Sequence, residues 1–500
     1  MATIIEQKPR YDKYPVGQPI IYAVSNDLIV ATEFQVKFVA FVYVSSGLPP
    51  STSATSTQLI GTFKTTPNNK GVGIFDFRPI LESYVKSDNL ARPSQDGGVT
   101  GSSYKLNKNL ETSPRILHLI DTYSGNENLV RRVTIKFKTE HLDNNQYLAN
   151  GVTPNPNYNT LIQVQQKFAD WNVIFNGYLK NTDELILGNS THSATPTPVN
   201  FGYDLSKFKL GSTSKYFLTN APTTQYANVE DYGTVGILMS MQIYDQIQNP
   251  NGFYELYFKY YNSSGSLLDQ EGSTANKSRG AFNYSERLEA FNQALYAGIY
   301  PANLRGWSTK FAALVTAGTI QGGYYTVQAR KNSGSSISQL YTINVNCPNV
   351  KGYAPIRLCW LNQWGTWDYY TFTMKSTRMI STQGSTYQQL EGTWNDSAYR
   401  LDSFRGGKKA FRVNATENIT MNTDFVNESE SEWFEELINS PEVCIVEGYQ
   451  DDETNSALSQ YITPVRLTTS SYTRKTVAND KLMQYTFEVE KSKTLRTQSV

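Results

Sequence analysis

Cysteine and histidine are both scarce, three of each in 500 residues: Cys347, Cys359, Cys444 and His118, His141, His192. Three thiols cannot build the multi-bridge framework of a small oxidised scaffold. They read as buried free thiols made in a reducing cytosol, with a single Cys347–Cys359 or Cys359–Cys444 bridge as the alternative. No two His stand close together, and neither His-x-x-x-His nor Cys-x-x-Cys occurs, so the familiar zinc spacings are missing. A charge excess is missing too: 45 Lys+Arg against 44 Asp+Glu leave a formal charge of +1. Nucleic-acid binders draw affinity from phosphate neutralisation and need a basic surplus, so no direct nucleic-acid partner is expected. No run of about 18 apolar residues occurs, and the first residues, MATIIEQKPRYDKYPVG, hold no apolar signal segment. Neither membrane insertion nor signal-peptide secretion is expected.

Aromatic residues fill the space that charge leaves. Charged residues are 18% of the chain, below the roughly 25% of ordinary soluble domains. Tyr (34) and Phe (23) are abundant, and such side chains fit a half-buried pleated surface. In Glu33–Ser46, Phe34, Val36, Phe38, Ala40 and Val42 recur every two residues, the strand period. Pro19–Asn26, Arg115–Ser124 and Arg131–Leu142 read as further extended segments, the last two as a hairpin turning on SGNEN, and Gly71–Asp88 begins extended and turns helical, with Ile80, Leu81, Tyr84 and Val85 at helical spacing. The fold class expected is mainly β: a multi-domain chain of β-sandwich (Ig-like or jelly-roll-like) domains with a few short helices. Composition divides it into an N-terminal sandwich over 1–150, an irregular linker or insertion over 151–231 and a second sandwich over 232–349. A C-terminal β-rich domain with one short helix and a terminal arm covers 350–500. Within the second sandwich, FYELYFKYY and SLLDQEG form a hairpin around NSSG. Gly306–Gly318 reads as a strand next to the pair in Tyr324–Val345, and Arg287–Ile299 as an amphipathic helix. In the last block a helix is predicted over Ser429–Pro441, with Ser429 at its N-cap and Glu432 three residues on.

Each chemically suggestive constellation has a structural rival. Trp360, Trp364, Trp367, Tyr369, Tyr370 and Phe372 surround Gly365 and suit either a platform for stacking sugars or bases, or the core or interface of an aromatic hairpin. Asp368 is the one acid in that stretch. A glycosidase needs two carboxylates at a set separation, and Glu391 or Asp396 would have to approach it. The acids of Glu428–Glu436 lack the alternating spacing of a calcium loop and suit a helix N-terminus. Gly71–Gly73 is too short for a dinucleotide loop, and no P-loop or nucleophile elbow occurs. Arg131, Arg132, Lys136 and Lys138 read as a solvated strand face. No catalytic set, cofactor site or metal set is expected. After Glu490 the apolar period collapses, so Lys491, Lys493, Leu495 and Arg496 are expected in an arm that docks on a neighbouring subunit.

LCWLNQWGTWDYYTF, EWFEELINSPEVCIVEG and YITPVRLTTSSYTRKTVANDKLMQYTFEVEKSKTLRTQ resemble segments of virion structural proteins of tailed bacteriophages, of the marine cyanophage-like kind. PIIYAVSN…GIFDFRPILESYV is similar to their opening sandwich. The resemblance spans about half the chain, mainly its two ends, and carries no functional residue with it. It implies a non-enzymatic virion protein, assembled in the bacterial cytoplasm, whose partners are copies of itself and other virion proteins. A tail, baseplate or fibre-anchoring position is the first expectation and a neck or capsid accessory role the second. A carbohydrate-binding adhesin contacting a host surface glycan through Trp360–Trp367 is the third.

Overall fold

The computed structural model describes residues 3–9, 13–45, 58–86, 91–93, 114–116, 123–125, 129–148, 151–163, 167–168, 172–178, 207–238, 252–274, 294–347, 352–401, 404–446, 462–471, 473, 483–493 and 495–496. The chain is mainly β, in several largely antiparallel sheets with few short helices.

The first sandwich follows from period-two patterning. Strands β1 (Ile4–Gln7), β2 (Lys13–Pro15) and β3 (Ile21–Ser25) lead through helix α1 (Asp27–Thr32) into the long β4 (Phe34–Ser45). Next come β5 (Gln58–Thr65), β6 (Val72–Asp76) and α2 (Arg78–Leu81). A short pair, β7 (Ala91–Pro93) with β8 (Pro114–Ile116), precedes β9 (Tyr123–Gly125) and β10 (Val130–Leu142). The sheet β1-β3-β6 packs over the sheet β2-β13-β10-β4-β5, which recruits β11 (Leu161–Gln163), β12 (Lys167–Phe168) and β13 (Asn172–Phe175) from beyond residue 150. Phe38, Ala40, Val42 and Val44 of β4 enter the core with Val133, Ile135 and Phe137 of β10, and meet Tyr22, Phe75 and Phe77. The hairpin expected between Arg115–Ser124 and Arg131–Leu142 does not form. One edge of β10 is taken by β4 and the other by β11, β12 and β13, so β9 pairs elsewhere.

The second block holds a five-stranded sheet, β14-β20-β19-β16-β17, facing a three-stranded one, β15-β18-β9. These strands are β14 (Thr224–Ala227), β15 (Thr234–Leu238), β16 (Phe253–Tyr261), β17 (Leu267–Thr274), β18 (Ala294–Gly298), β19 (Tyr324–Lys331) and β20 (Tyr341–Val345). The NSSG hairpin is present, its turn held by the Asn262 carboxamide oxygen accepting from the backbone of Ser264 and Ser266. Two expectations here are corrected. Ala294–Gly298 is a strand rather than the end of a helix, because it pairs with β15 on one edge and β9 on the other, and Leu295, Tyr296 and Ala297 are all buried there; residues 287–293 lie outside the described residues. Gly306–Gly318 is helical: α3 (Pro301–Trp307) is followed by α4 (Thr309–Thr316). Ser308 caps α4 by accepting from the Phe311 backbone, and Phe311 then packs on the Tyr260 and Tyr325 rings. An N-cap hydroxyl at the right place outweighs a run of Thr, Phe and Val that also suits a strand.

The third block is an eight-stranded sheet in the order β22-β21-β25-β26-β27-β24-β23, with β28 also on β24. Its strands are β21 (Ile356–Leu361), β22 (Trp367–Phe372), β23 (Thr377–Gln389) and β24 (Gly407–Asn422). After helix α5 (Glu428–Asn439) come β25 (Val443–Val446), β26 (Ile462–Leu467), β27 (Thr486–Lys491) and β28 (Leu495–Arg496). The helix lies where expected, but its cap is Asn427 with Glu430, not Ser429 with Glu432. The Asn427 side chain accepts from Glu430 N, and the Glu430 carboxylate accepts from Asn427 N, 2.9 Å each. Asn caps as well as Ser, and placing it there turns Trp433, Phe434 and Leu437 together onto the sheet.

Candidate functional site

The aromatic hairpin β21–β22 is the joint of the molecule. Alternation sends Leu358 and Trp360 to one face, under α5, and Cys359 and Leu361 to the other, into the core of the second block. Trp360 packs 4.8 Å from Trp433, centroid to centroid, and Tyr370 meets Phe434 edge-on at 4.9 Å. Tyr369 joins the opposite core beside Tyr300 and shares a hydrogen bond with Thr234. Trp364, in the turn, packs tilted against Phe208 in a small third cluster with Leu129 and Phe175 of the first sandwich. That turn needs glycine. Gly365 has φ +75°, and a Cβ there would run into the carbonyl of Asn176. Trp360, Trp364 and Trp367 are only 0, 2 and 1% exposed. The stacking platform proposed for them is therefore corrected: no indole face is open to a sugar or base, and the residues are core anchors.

Asp368 is closed off in the same way. Its carboxylate accepts from Thr219 Oγ1 (2.7 Å), Asn362 Nδ2 (2.9 Å) and Trp433 Nε1 (2.7 Å). Burial pushes its pKa up to about 6 against the pull of those donors. Glu391 and Asp396 sit in an exposed loop far along the chain, so neither joins it in the core. A second buried group, Arg357, donates to Tyr232 O and Thr371 Oγ1 and pairs with Asp231 at 3.4 Å. Both networks stitch the segment 207–232 to the hairpin, which is structural work. Cys359 and Cys444 face each other across β21 and β25 as free thiols; burial first, then Cys444, pushes the Cys359 thiol up. Among the described residues no group of three or more His, Cys, Asp or Glu could hold a metal ion, and no helix is long and apolar enough to cross a membrane.

The terminal arm is a second correction. Leu495 pairs with Ala415 and Arg496 with Asn414, so β28 returns to the chain's own sheet. Lys491 closes β27 and bridges to Glu417 at 2.8 Å, and Lys493 follows it in the bend that leads to β28. Backbone pairing along β24 supplies what the apolar side chains of this segment could not. Among the described residues, Lys491, Leu495 and Arg496 thus lie on the chain's own sheet and not on a free arm; 494 and 497–500 lie outside the described residues.

What the sequence did not disclose is an arm elsewhere. Strands β23 and β24 pair over 13 positions and run out from the sheet, with ten consecutive exposed residues along β23. At their far end Leu390, Trp394, Tyr399, Leu401, Phe404 and Phe411 are all exposed, Trp394 at 68% and Leu401 at 76%. The tip is nevertheless built. Trp394 Nε1 donates to Glu391 O at 2.8 Å, Thr393 N to Arg400 O at 3.1 Å, and Arg405 to Gly392 O at 3.3 Å. The Trp394 and Tyr399 rings meet edge-to-face at 5.7 Å, and Gly392, at φ +70°, leaves room for Tyr399 where a Cβ would collide. Exposed apolar clusters of this kind on a folded scaffold mark interaction surfaces. The only signal in the sequence was a strand-prone stretch, TRMISTQGSTYQQ, without apolar alternation, which is what a strand with no buried face looks like.

No family model matches the chain, and no curated protein matches it. Among solved structures, E. coli alpha-2-macroglobulin is similar at 7% identity with a TM-score of 0.17, covering 84% of this chain and 22% of that one. MtrC from Shewanella baltica is similar at 10% identity with a TM-score of 0.13, covering 84% and 65%. The chain thus spans less than two thirds of each of these proteins, and likenesses this slight carry no argument about fold or function.

Proposed function

We propose that this chain is a non-enzymatic structural component of a tailed-phage virion, acting through protein–protein interfaces in a tail, baseplate or fibre-anchoring position. The observation that carries the interface reading is the β23–β24 arm with its ordered apolar tip. A monomer in free solution has no use for six large exposed apolar side chains held at the end of a hairpin; an assembly part buries them against a neighbour. The closed environment of Asp368 supports the non-enzymatic half, because the one acid within the aromatic cluster meets only structural donors. The phage assignment rests on the sequence resemblance. Cryo-electron microscopy of purified particles tests it: the chain should occupy fixed positions with the 390–411 tip against another subunit. Density at the neck or capsid would move the assignment within the particle, and absence from particles would end it.

A further inference from the structure

We propose that the outer edge of β23 is where a second copy of this chain adds, antiparallel, across a two-fold axis at Gly384. The proposal rests on the interface reading of the arm and names its partner. Among the described residues β23 pairs with β24 alone, so 13 residues, about 44 Å of strand, present unpaired backbone groups. Native edges are normally protected by charge, proline or a bulge. Met379–Leu390 contains no charged residue and no proline, and the bulge in this hairpin falls in β24, at Phe411. An edge so unprotected is suited to being covered.

Two features select the chain's own copy as the cover. The first is charge. The neutral stretch is bounded by Arg378 at one end and Glu391 at the other. An antiparallel copy lays each Arg378 end along the partner's Glu391 end, and no like charges oppose. The second is Gly384, at the middle of the strand. It has no positive φ, and an added Cβ would meet only Arg412 O and Val413 Cγ2 at an ordinary 3.5 Å. The fold does not require glycine there, whereas close approach of another backbone favours it. A two-fold normal to the sheet must pass through a residue, so that facing side chains share one face. Placed at Gly384, it sets Thr382 against Thr386 twice, in an isologous contact.

The test uses the full chain. Sedimentation across the micromolar range should show a dimer. Thr382→Lys with Thr386→Lys, both exposed positions, should give a monomer whose thermal midpoint matches that of the wild-type chain diluted to where it too is monomeric. Equimolar mixing with the Thr382→Glu, Thr386→Glu variant should return the dimer. In a Cys347→Ser background, Gly384→Cys should cross-link to its copy on mild oxidation, since facing Cα atoms lie about 4.5–5.5 Å apart. Ile380→Cys, displaced from its own copy by about 27 Å along the strand, should not. A wild-type monomer at every concentration, a dimer that survives the lysines, or cross-linking of Ile380→Cys in place of Gly384→Cys each overturns the proposal. A monomer still found at fixed copy number in particles would sink the second-copy partner alone; absence from particles would sink the assembly reading whatever the dimer does.

Discussion

At the scale of single residues, two tryptophans from the same block should behave in opposite ways. Trp360 is fully buried against Trp433 and Phe434, so Trp360→Ala should cost about 3–5 kcal/mol in urea unfolding, the sum of lost transfer energy and a cavity. Trp394→Ser, at an exposed position, should change stability by less than about 0.5 kcal/mol while weakening incorporation into particles. Equal stability losses would contradict the division into core anchor and docking residue. Asp368 gives a pH dependence with a definite sign. Its pKa is pushed up to about 6 by burial, above the roughly 3.9 of an unfolded Asp. Between those values the folded state holds the extra proton, so the stability that Asp368 contributes is fully present below about pH 4 and is lost as pH rises through 6, by on the order of 2–3 kcal/mol. Carbon-13 titration of the Asp368 carboxyl should give a midpoint near that raised value; a midpoint at or below that of a free Asp would show that the three hydrogen bonds outweigh burial.

At the scale of elements, legibility followed burial. Strand β4 was readable because a buried face imposes alternation, the β21–β22 hairpin because two buried faces give a nearly continuous apolar and aromatic run, and α5 because a helix on a sheet needs an apolar stripe. The aromatics Trp360, Trp364, Trp367, Tyr369 and Tyr370 were readable as one cluster, though not as three separate cores, since their partners lie far off in chain order (Phe208, Phe175 and Leu129, for Trp364). Segments whose apolar residues suit both periods went the wrong way. Leu288, Phe291, Leu295 and Ile299 have helical spacing, yet Leu295, Tyr296 and Ala297 are a continuous buried run, and pairing on both edges decided for the strand. Thr309–Thr316 was decided by its cap. The β23–β24 arm was least legible because none of β23 is buried deeply enough to pattern its sequence. Caps can be tested directly: Asn427→Ala removes the side-chain acceptor for Glu430 N, leaving only the backbone half of the capping box, and should cost about 1 kcal/mol, whereas Ser429→Ala should cost a few tenths. Thermal unfolding of the two variants separates them, and a larger loss for Ser429→Ala would mean that the helix starts two residues later.

At the scale of the whole molecule, the distribution of cores sets how the chain should unfold. The largest core takes Leu256, Phe258 and Tyr325 from the second block together with Cys359, Leu361, Trp367 and Tyr369 from the aromatic hairpin. The other face of that same hairpin, through Leu358 and Trp360, belongs to the core under α5. A strand pair with one face in each core cannot leave one without exposing the other. The buried ties from Asp231 to Arg357 and from Thr219 to Asp368 add desolvated hydrogen bonds across the same junction, and leaving those groups unpaired costs more than the bonds themselves contribute. The second and third blocks, with β26 and β27 included because Val465, Phe487 and Val489 sit in the core under α5, should therefore melt as one cooperative unit, although their sequence divides in two. The first sandwich is different: among the described residues its buried core members run from Val16 to Ile174, and it meets the hairpin through the small cluster around Trp364. Calorimetry should find that Leu256→Ala and Trp360→Ala lower the same transition, while Phe38→Ala lowers an earlier or later one. A fragment ending near residue 349 should fail to fold its second block, having lost the hairpin that closes its core. Separate transitions for Leu256→Ala and Trp360→Ala, or a folded second block in that fragment, would show that the hairpin couples the two cores less tightly than its shared faces require.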